Sequence, residues 1–322
     1  MTGLNCNLRN LLRHGVMAVG AIAALALLVI PASTPAASSQ RQMQFASPEE
    51  AVEALVKAAR DGETGGLLNV LGPAGNKLVY SGDPVADKLG REKFVTKYDA
   101  AHKIERQNDT TAILSIGDEA WPFAIPIVKE GGAWRFDTAK GAQEILTRRI
   151  GRNELNAIEV CRAYVDAQRE YASVDRNGDG ILEYAQKFRS SPGRHDGLYW
   201  DVQGGEEESP MGPMVASARA EGYGGKEPHR QRAPYHGYYY KILIRQGAAA
   251  MAGAFDYVVN GHMIGGFALV AFPAKYGGSG IMTFIVNQDG TVYQKNLGPD
   301  TAAIARQMTI FNPDLTWTTV RH

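Results

Sequence analysis

Cysteine is nearly absent from this chain: 2 residues in 322. That excludes a disulfide scaffold and any paired-cysteine metal site. An excess of charge of either sign is missing too, since 34 Lys and Arg face 34 Asp and Glu. The balance leaves no basic face for general nucleic-acid binding and no polybasic membrane surface. The sequence contains no H-E-x-x-H and no phosphate-cradling P-loop. What remains is globular in composition, with 44% hydrophobic residues and 36 Gly, neither collagen-like nor disordered throughout. A length of 322 residues predicts two domains with cores that stand without cross-links.

No apolar run reaches the roughly 20 residues that span a bilayer comfortably. The longest, Gly15 to Pro31, follows Arg9 and Arg13 and precedes Pro35 and small residues. That order predicts an export signal over residues 1–38, cleaved after Ala36 or Ser38, with an uncleaved anchor as the alternative. Cys6 precedes the apolar core, where a lipoprotein cysteine would follow it. Cleavage leaves 32 basic and 34 acidic side chains and Cys161 as the single thiol. The expected location is periplasmic or extracellular, with no integral membrane domain in the mature chain and no nucleic-acid partner.

The fold class predicted is α+β: two domains, each with helices packed on an antiparallel sheet. Residues 45–148 form the first. Ser47-Pro48-Glu49-Glu50 is a capping box with Pro at the first helical position. Val52, Leu55, Val56 and Ala59 continue at helical spacing until Asp61-Gly62. A second helix carries Leu67, Leu68 and Leu71, and a third starts at Asp83-Pro84 and presents Leu89, Phe94 and Tyr98. Strands are expected at 112–116 and 123–128, the latter joined to 133–136 through Gly131-Gly132. His102 reads as a solvated helix-end residue. Helices followed by a Lys-Glu-Gly-Gly-Ala-Trp-Arg-Phe hairpin at 129–136 resemble cystatin-like cone folds of the nuclear-transport-factor-2 type. That resemblance implies a cone able to hold a small molecule.

Residues 152–322 form the second domain, after a linking helix over 140–150 and a hinge at Gly151. The pattern from Asn153 to about Ser173 predicts an amphipathic helix with Leu155, Ile158, Cys161, Val165 and Ala172 on one stripe. Cys161, among apolar neighbours, reads as a small core residue and not a nucleophile. The helix runs into Asp175-Arg176-Asn177-Gly178-Asp179-Gly180, which has the oxygens and the Gly of a calcium loop. The candidate metal ligands are Asp175, Asn177, Asp179, the Ile181 carbonyl and Glu183. Gln186 stands where that motif needs a bidentate Glu, and a metal-free Asx/Gly turn is the competing reading. Residues 190–234 form a long polar loop with Glu206 to Glu208, a short helix from Pro213 to Glu221, and a basic patch from Lys226 to Arg232.

Five strands are expected at 238–244, 255–259, 267–272, 281–286 and 292–295, with Asn287-Gln288-Asp289-Gly290 as a hairpin turn and a final helix over 299–308. A long helix, an Asp-Gly turn and then Gly-Tyr-Tyr-Tyr-Lys-Ile are similar to the soluble heads of pilins and pseudopilins. Here a whole domain separates the apolar N-terminus from the long helix, so no fibre assembly is implied. From Phe45-Ala46-Ser47-Pro48-Glu49 to Asn296-Leu297-Gly298-Pro299-Asp300, the mature chain closely resembles a bacterial secreted family catalogued as domain of unknown function 2950, a resemblance that implies no activity.

Two functional readings follow. One is a non-catalytic envelope protein that takes a small ligand or partner through the cone or through a tyrosine-rich face of Tyr235, His236, Tyr238, Tyr240 and Tyr257. The other is a periplasmic hydrolase using His236 with Asp256 or Asp196. Ser279 in Gly278-Ser279-Gly280 lacks the spacing of a nucleophile elbow, and His262 is a further candidate.

Overall fold

The computed structural model describes residues 42–202, 204–205, 207–224 and 233–321. The expected export signal, Glu206 and the basic patch from Lys226 to Arg232 lie outside the described residues. No described helix is long and apolar enough to cross a membrane.

The chain opens with α1 (Pro48–Asp61), where the Ser47 hydroxyl accepts the Glu50 amide and the Glu50 carboxylate accepts the Ala46 amide. These contacts satisfy donors that a helix start leaves without partners. Its buried stripe is Val52, Leu55, Val56 and Ala59. Next come α2 (Thr64–Leu71), a 3-10 turn over Pro73–Gly75 and the single turn α3 (Asn76–Val79). The following helix, α4 (Pro84–Ala100), begins at Asp83, whose carboxylate accepts the Val85 and Ala86 amides. It differs from α1 in one respect that matters below: none of its 17 residues is buried.

The first sheet has the order β1 (His102–Asn108), β2 (Thr111–Ile116), β4 (Ile127–Glu130), β5 (Ala133–Phe136), with β3 (Trp121–Pro122) also on β2; every pairing is antiparallel. Two strands correct the sequence reading. β1 occupies the charged stretch expected as a helix end: it is an edge strand of Lys, Glu and Arg whose one apolar residue is Ile104, so it lacks an apolar signal. His102 is its first residue, and its ring stacks on Tyr98 at 3.8 Å. The strand expected from Phe123 starts only at Ile127, after Pro126, which has no amide to donate.

The spine of the molecule is α5 (Thr138–Tyr171), 34 residues passing unbroken through Gly151, where the sequence suggested a hinge. At its start it comes so close to the segment between β3 and β4 that a Cβ on Gly141 would sit 2.3 Å from the Ala124 carbonyl oxygen. Arg149 donates to the Lys77 and Leu78 carbonyls. About one turn later Asn153 donates to the Ser279 carbonyl, and Glu154 accepts the Ile281 and Met282 amides. One helix thus holds α3 on one side of Gly151 and the second sheet on the other. Ala157, Ile158, Cys161, Tyr164 and Val165 are buried, whereas Leu155, expected on that stripe, is 65% exposed.

After α6 (Gly212–Ala220) the chain makes β6 (Tyr238–Leu243), β7 (Arg245–Gln246), β8 (Phe255–Asp256), β9 (Val258–Val259), β10 (His262–Met263), β11 (Ala268–Pro273), β12 (Thr283–Asn287), β13 (Tyr293–Lys295), α7 (Thr301–Gln307), β14 (Ile310–Phe311) and β15 (Thr318–Thr319). The main sheet runs β15-β13-β12-β11-β6, antiparallel throughout. β11 and β12 are buried at every residue, as continuous apolar runs covered on both faces should be. Gly290 closes the β12–β13 turn at φ +81°. β14 adds a short parallel pairing with β7. Apolar burial falls into two clusters, one over residues 45–146 and one over residues 157–311. The architecture is α+β.

Candidate functional site

Two gatherings of polar side chains among the described residues bear on function. The first is a cavity of about 670 Å³ beneath α4. Its apolar wall comes from α1, α2 and the Phe123–Ile125 segment, with Leu89 and Phe94 of α4 opposite. Five cationic side chains, Arg91, Lys93, Arg148, Arg149 and Arg152, line it against two carboxylates, Asp87 and Glu221. Burial drives the Asp87 carboxyl up, opposed by the Ser81 amide and by Arg149, and burial lowers the Arg149 guanidinium. The Arg149 guanidinium is therefore a partly desolvated cation, strengthened as an electrostatic partner by its low-dielectric surroundings.

His236 and Tyr223 close one end of this cavity. His236 adopts φ +50°, a left-handed conformation that few residues other than Gly accept. It is held there by a fully buried Asp83, whose Oδ2 accepts the Tyr223 hydroxyl at 2.9 Å and the Gly237 amide at 2.8 Å. The same hydroxyl accepts the His236 amide at 3.3 Å. The imidazole has Glu221 at 3.6 Å. Burial holds its pKa below the ordinary value, with Glu221 and then Asp83 pulling the other way.

The acids expected to serve His236 are engaged elsewhere. Asp196 accepts from Lys187 and Ser191; although partial burial raises its carboxyl, those bonds hold it down at about 2. Asp256 lies 3.6 Å from Arg245 at an exposed position. The Ser279 hydroxyl is buried and bonded to the Lys275 backbone. A His236–Asp196 or His236–Asp256 pair is not formed, because those acids sit on other strands and loops with cations of their own.

The tyrosine face divides in the same way. Tyr235 and Tyr240 line a second cavity of about 510 Å³. Tyr238 and Tyr257 are core residues, with hydroxyls donated to the Met282 carbonyl and to Gln246 Oε1.

The second gathering is the acidic loop after α5. Its local shape is an Asx turn: both Asp175 oxygens accept backbone amides, from Gly178 and Gly180 at 2.8 Å each. Those bonds, with Gly180 the largest contributor, lower the Asp175 carboxyl. Arg176, its side chain almost wholly buried, lies over the rings of Tyr171 and Trp200 and pairs with Glu207 at 2.7 Å. Gln168 holds the far end with two bonds to the Ala185 backbone. The protein's own contacts thus fix the turn at both ends.

Within that frame Asn177 Nδ2 donates to Asp179 at 2.8 Å and to Glu183 at 3.0 Å. Gln186 turns away to the Gly261 carbonyl, and Ile181 is an exposed side chain. His262, from the β9–β10 hairpin, supplies the residue that spacing along the chain could not: its Nδ1 lies 3.3 Å from Glu183 and 3.6 Å from Asp179. The signal for it is weak, a His after Asn260-Gly261, and nothing local ties it to a loop so far back in the chain.

Residues 42–320 match the family described as a protein of unknown function, DUF2950. The chain belongs to that family. No curated protein and no solved structure matches it. The match spans both apolar clusters, the cavity and the acidic loop, so each is a feature of a member of this family.

Proposed function

We propose that this DUF2950 chain is an exported, non-catalytic binding protein of the cell envelope, whose ligand is an amphiphile with an apolar body and an anionic end held in the cavity beneath α4. The observation that carries this reading is a 17-residue helix with no buried residue lying over a cavity of about 670 Å³. Most helical stability comes from burying a face, and α4 buries only part of Phe94, Val95 and Tyr98 against the first core while Leu89 lines the cavity 40% exposed. An apolar ligand supplies the missing surface. The volume falls within the roughly 300–1,000 Å³ of small-molecule sites, and the surplus of cations along the wall selects for a carboxylate or phosphate end.

Calorimetric titration of the exported chain with dodecanoate and dodecyl phosphate tests this, with dodecanol as the uncharged control. Both anions are expected to bind and to raise Tm. Ala86→Phe, which fills the cavity from α4, should abolish binding. Arg91→Glu combined with Arg152→Glu should weaken the anions while sparing the alcohol. Absence of binding by either anion, or binding that Ala86→Phe leaves intact, rejects the assignment.

A further inference from the structure

We propose that Asp179, Glu183 and His262 form a divalent-metal site that takes a nitrogen-accepting ion of the zinc type in preference to calcium. The three side chains each present a ligand atom, and these atoms lie within 4.8 Å of one another. They come from two segments distant in sequence, the loop after α5 and the β9–β10 hairpin. The backbone joins those segments independently through the Tyr184 amide on the Met263 carbonyl, 2.8 Å, and Gln186 on Gly261.

The imidazole gives the site its character. The His262 side chain is 29% exposed, but its Nδ1 is closed off from solvent and has no hydrogen-bond partner among the described residues, although two carboxylate oxygens face it at 3.3 and 3.6 Å. A buried polar atom without a partner calls for an explanation. A cation placed among the three atoms supplies one: it accepts the nitrogen lone pair and neutralises two acids brought together. Asn177 donates to Glu183 Oε1 and to Asp179 Oδ2, and the Met263 amide donates to Glu183 Oε2, so the two oxygens that face His262 are each held by one hydrogen bond and keep a second lone pair for an ion.

The donor set also sorts the ion. Calcium takes roughly 6–8 oxygens, and the loop does not offer them. Asp175 is not among the side chains whose ligand atoms converge with His262, Asn177 turns its amide N–H toward the carboxylates, and Gln186 donates to Gly261. One nitrogen and two carboxylates match zinc chemistry, in which three protein ligands leave a fourth position for water. A protonated His262 between two acids would produce similar spacing, so the experiment has to separate an ion pair from a metal.

The exported chain, stripped with EDTA, is titrated with ZnCl2 and separately with CaCl2 by calorimetry and thermal melting. One Zn2+ per chain is expected, with Tm rising as zinc is added, and no response to calcium. His262→Gln and Glu183→Gln should each weaken zinc by roughly tenfold or more, with the melt of each metal-free variant reporting its folding. Should a variant unfold, Co2+ bound to the wild type decides: an intense tetrahedral visible spectrum supports the site, and a pale octahedral one overturns it. No zinc heat, zinc binding that His262→Gln leaves unchanged, or calcium binding that survives His262→Gln would each overturn the proposal.

Discussion

Asp83 is the point at which one substitution should report on the whole molecule. Its buried carboxylate caps α4 through the Val85 and Ala86 amides at 3.2 and 3.1 Å, and with its other oxygen holds the Tyr223 hydroxyl and the Gly237 amide. Asp83→Ala removes a cap worth about 1 kcal/mol. It also leaves a buried hydroxyl and a buried amide without acceptors, at about 1–3 kcal/mol each. The total, about 3–7 kcal/mol, brackets the roughly 3–5 kcal/mol cost of breaking other buried charged contacts. Asp83→Asn keeps one oxygen for the cap but turns an N–H toward the Gly237 amide, for a loss of about 2 kcal/mol. With an unfolding entropy of about 2.1 cal/mol/K per residue over about 280 residues, these become Tm decreases of about 5–12 °C and about 3 °C. Calorimetric melts of residues 39–322 at neutral pH measure both. The reasoning is refuted if Asp83→Ala costs no more than a lost cap, or if Asp83→Asn melts with the wild type.

Three further outcomes are expected. His236 has a folded pKa below its ordinary 6.5, so at lower pH the unfolded chain binds the proton first. Its contribution is complete above that value and is lost as pH falls through the folded one. Unfolding free energies measured between about pH 7.5 and 5 should show the wild type losing stability relative to His236→Asn, which tolerates the left-handed φ; a flat or opposite difference contradicts the burial argument. Gly90 lies inside α4, where an added Cβ meets nothing within 4 Å, so Gly90→Ala should stabilise by about 0.5–1 kcal/mol in urea melts; a loss of stability would mean that α4 packs differently. Burial pushes the Cys161 thiol up to about 12, so a disulfide reagent should leave the native chain untouched and react only after denaturation.

Much of the fold could be read locally. The Ser47 cap, the Gly62 stop, the Gly131-Gly132 hairpin and the Gly290 turn each follow from a few adjacent residues, and each is in place. β11 and β12 were legible because strands buried on both faces read as unbroken apolar runs. β1 was hidden because an exposed edge strand carries charges where an inner strand carries apolar residues. Gly151 misled for a related reason: a Gly lowers helix propensity by about 1 kcal/mol, but the contacts of Arg149, Asn153 and Glu154 on either side keep α5 continuous.

By itself, then, the sequence determined the α+β class, several helix caps and turns, and the gathering of acids from Asp175 to Glu183, because these depend on periodicity and on neighbours a few residues apart. Only the tertiary structure decided what stands opposite them. It gave His236 Glu221, Tyr223 and the backbone held by Asp83, and it left Asp196 and Asp256 to Lys187 and Arg245. It set His262 against the acidic loop and left a cavity under α4. Such pairings join residues that chain spacing does not relate, and they are fixed by how α5 and the two sheets pack, which no local pattern encodes.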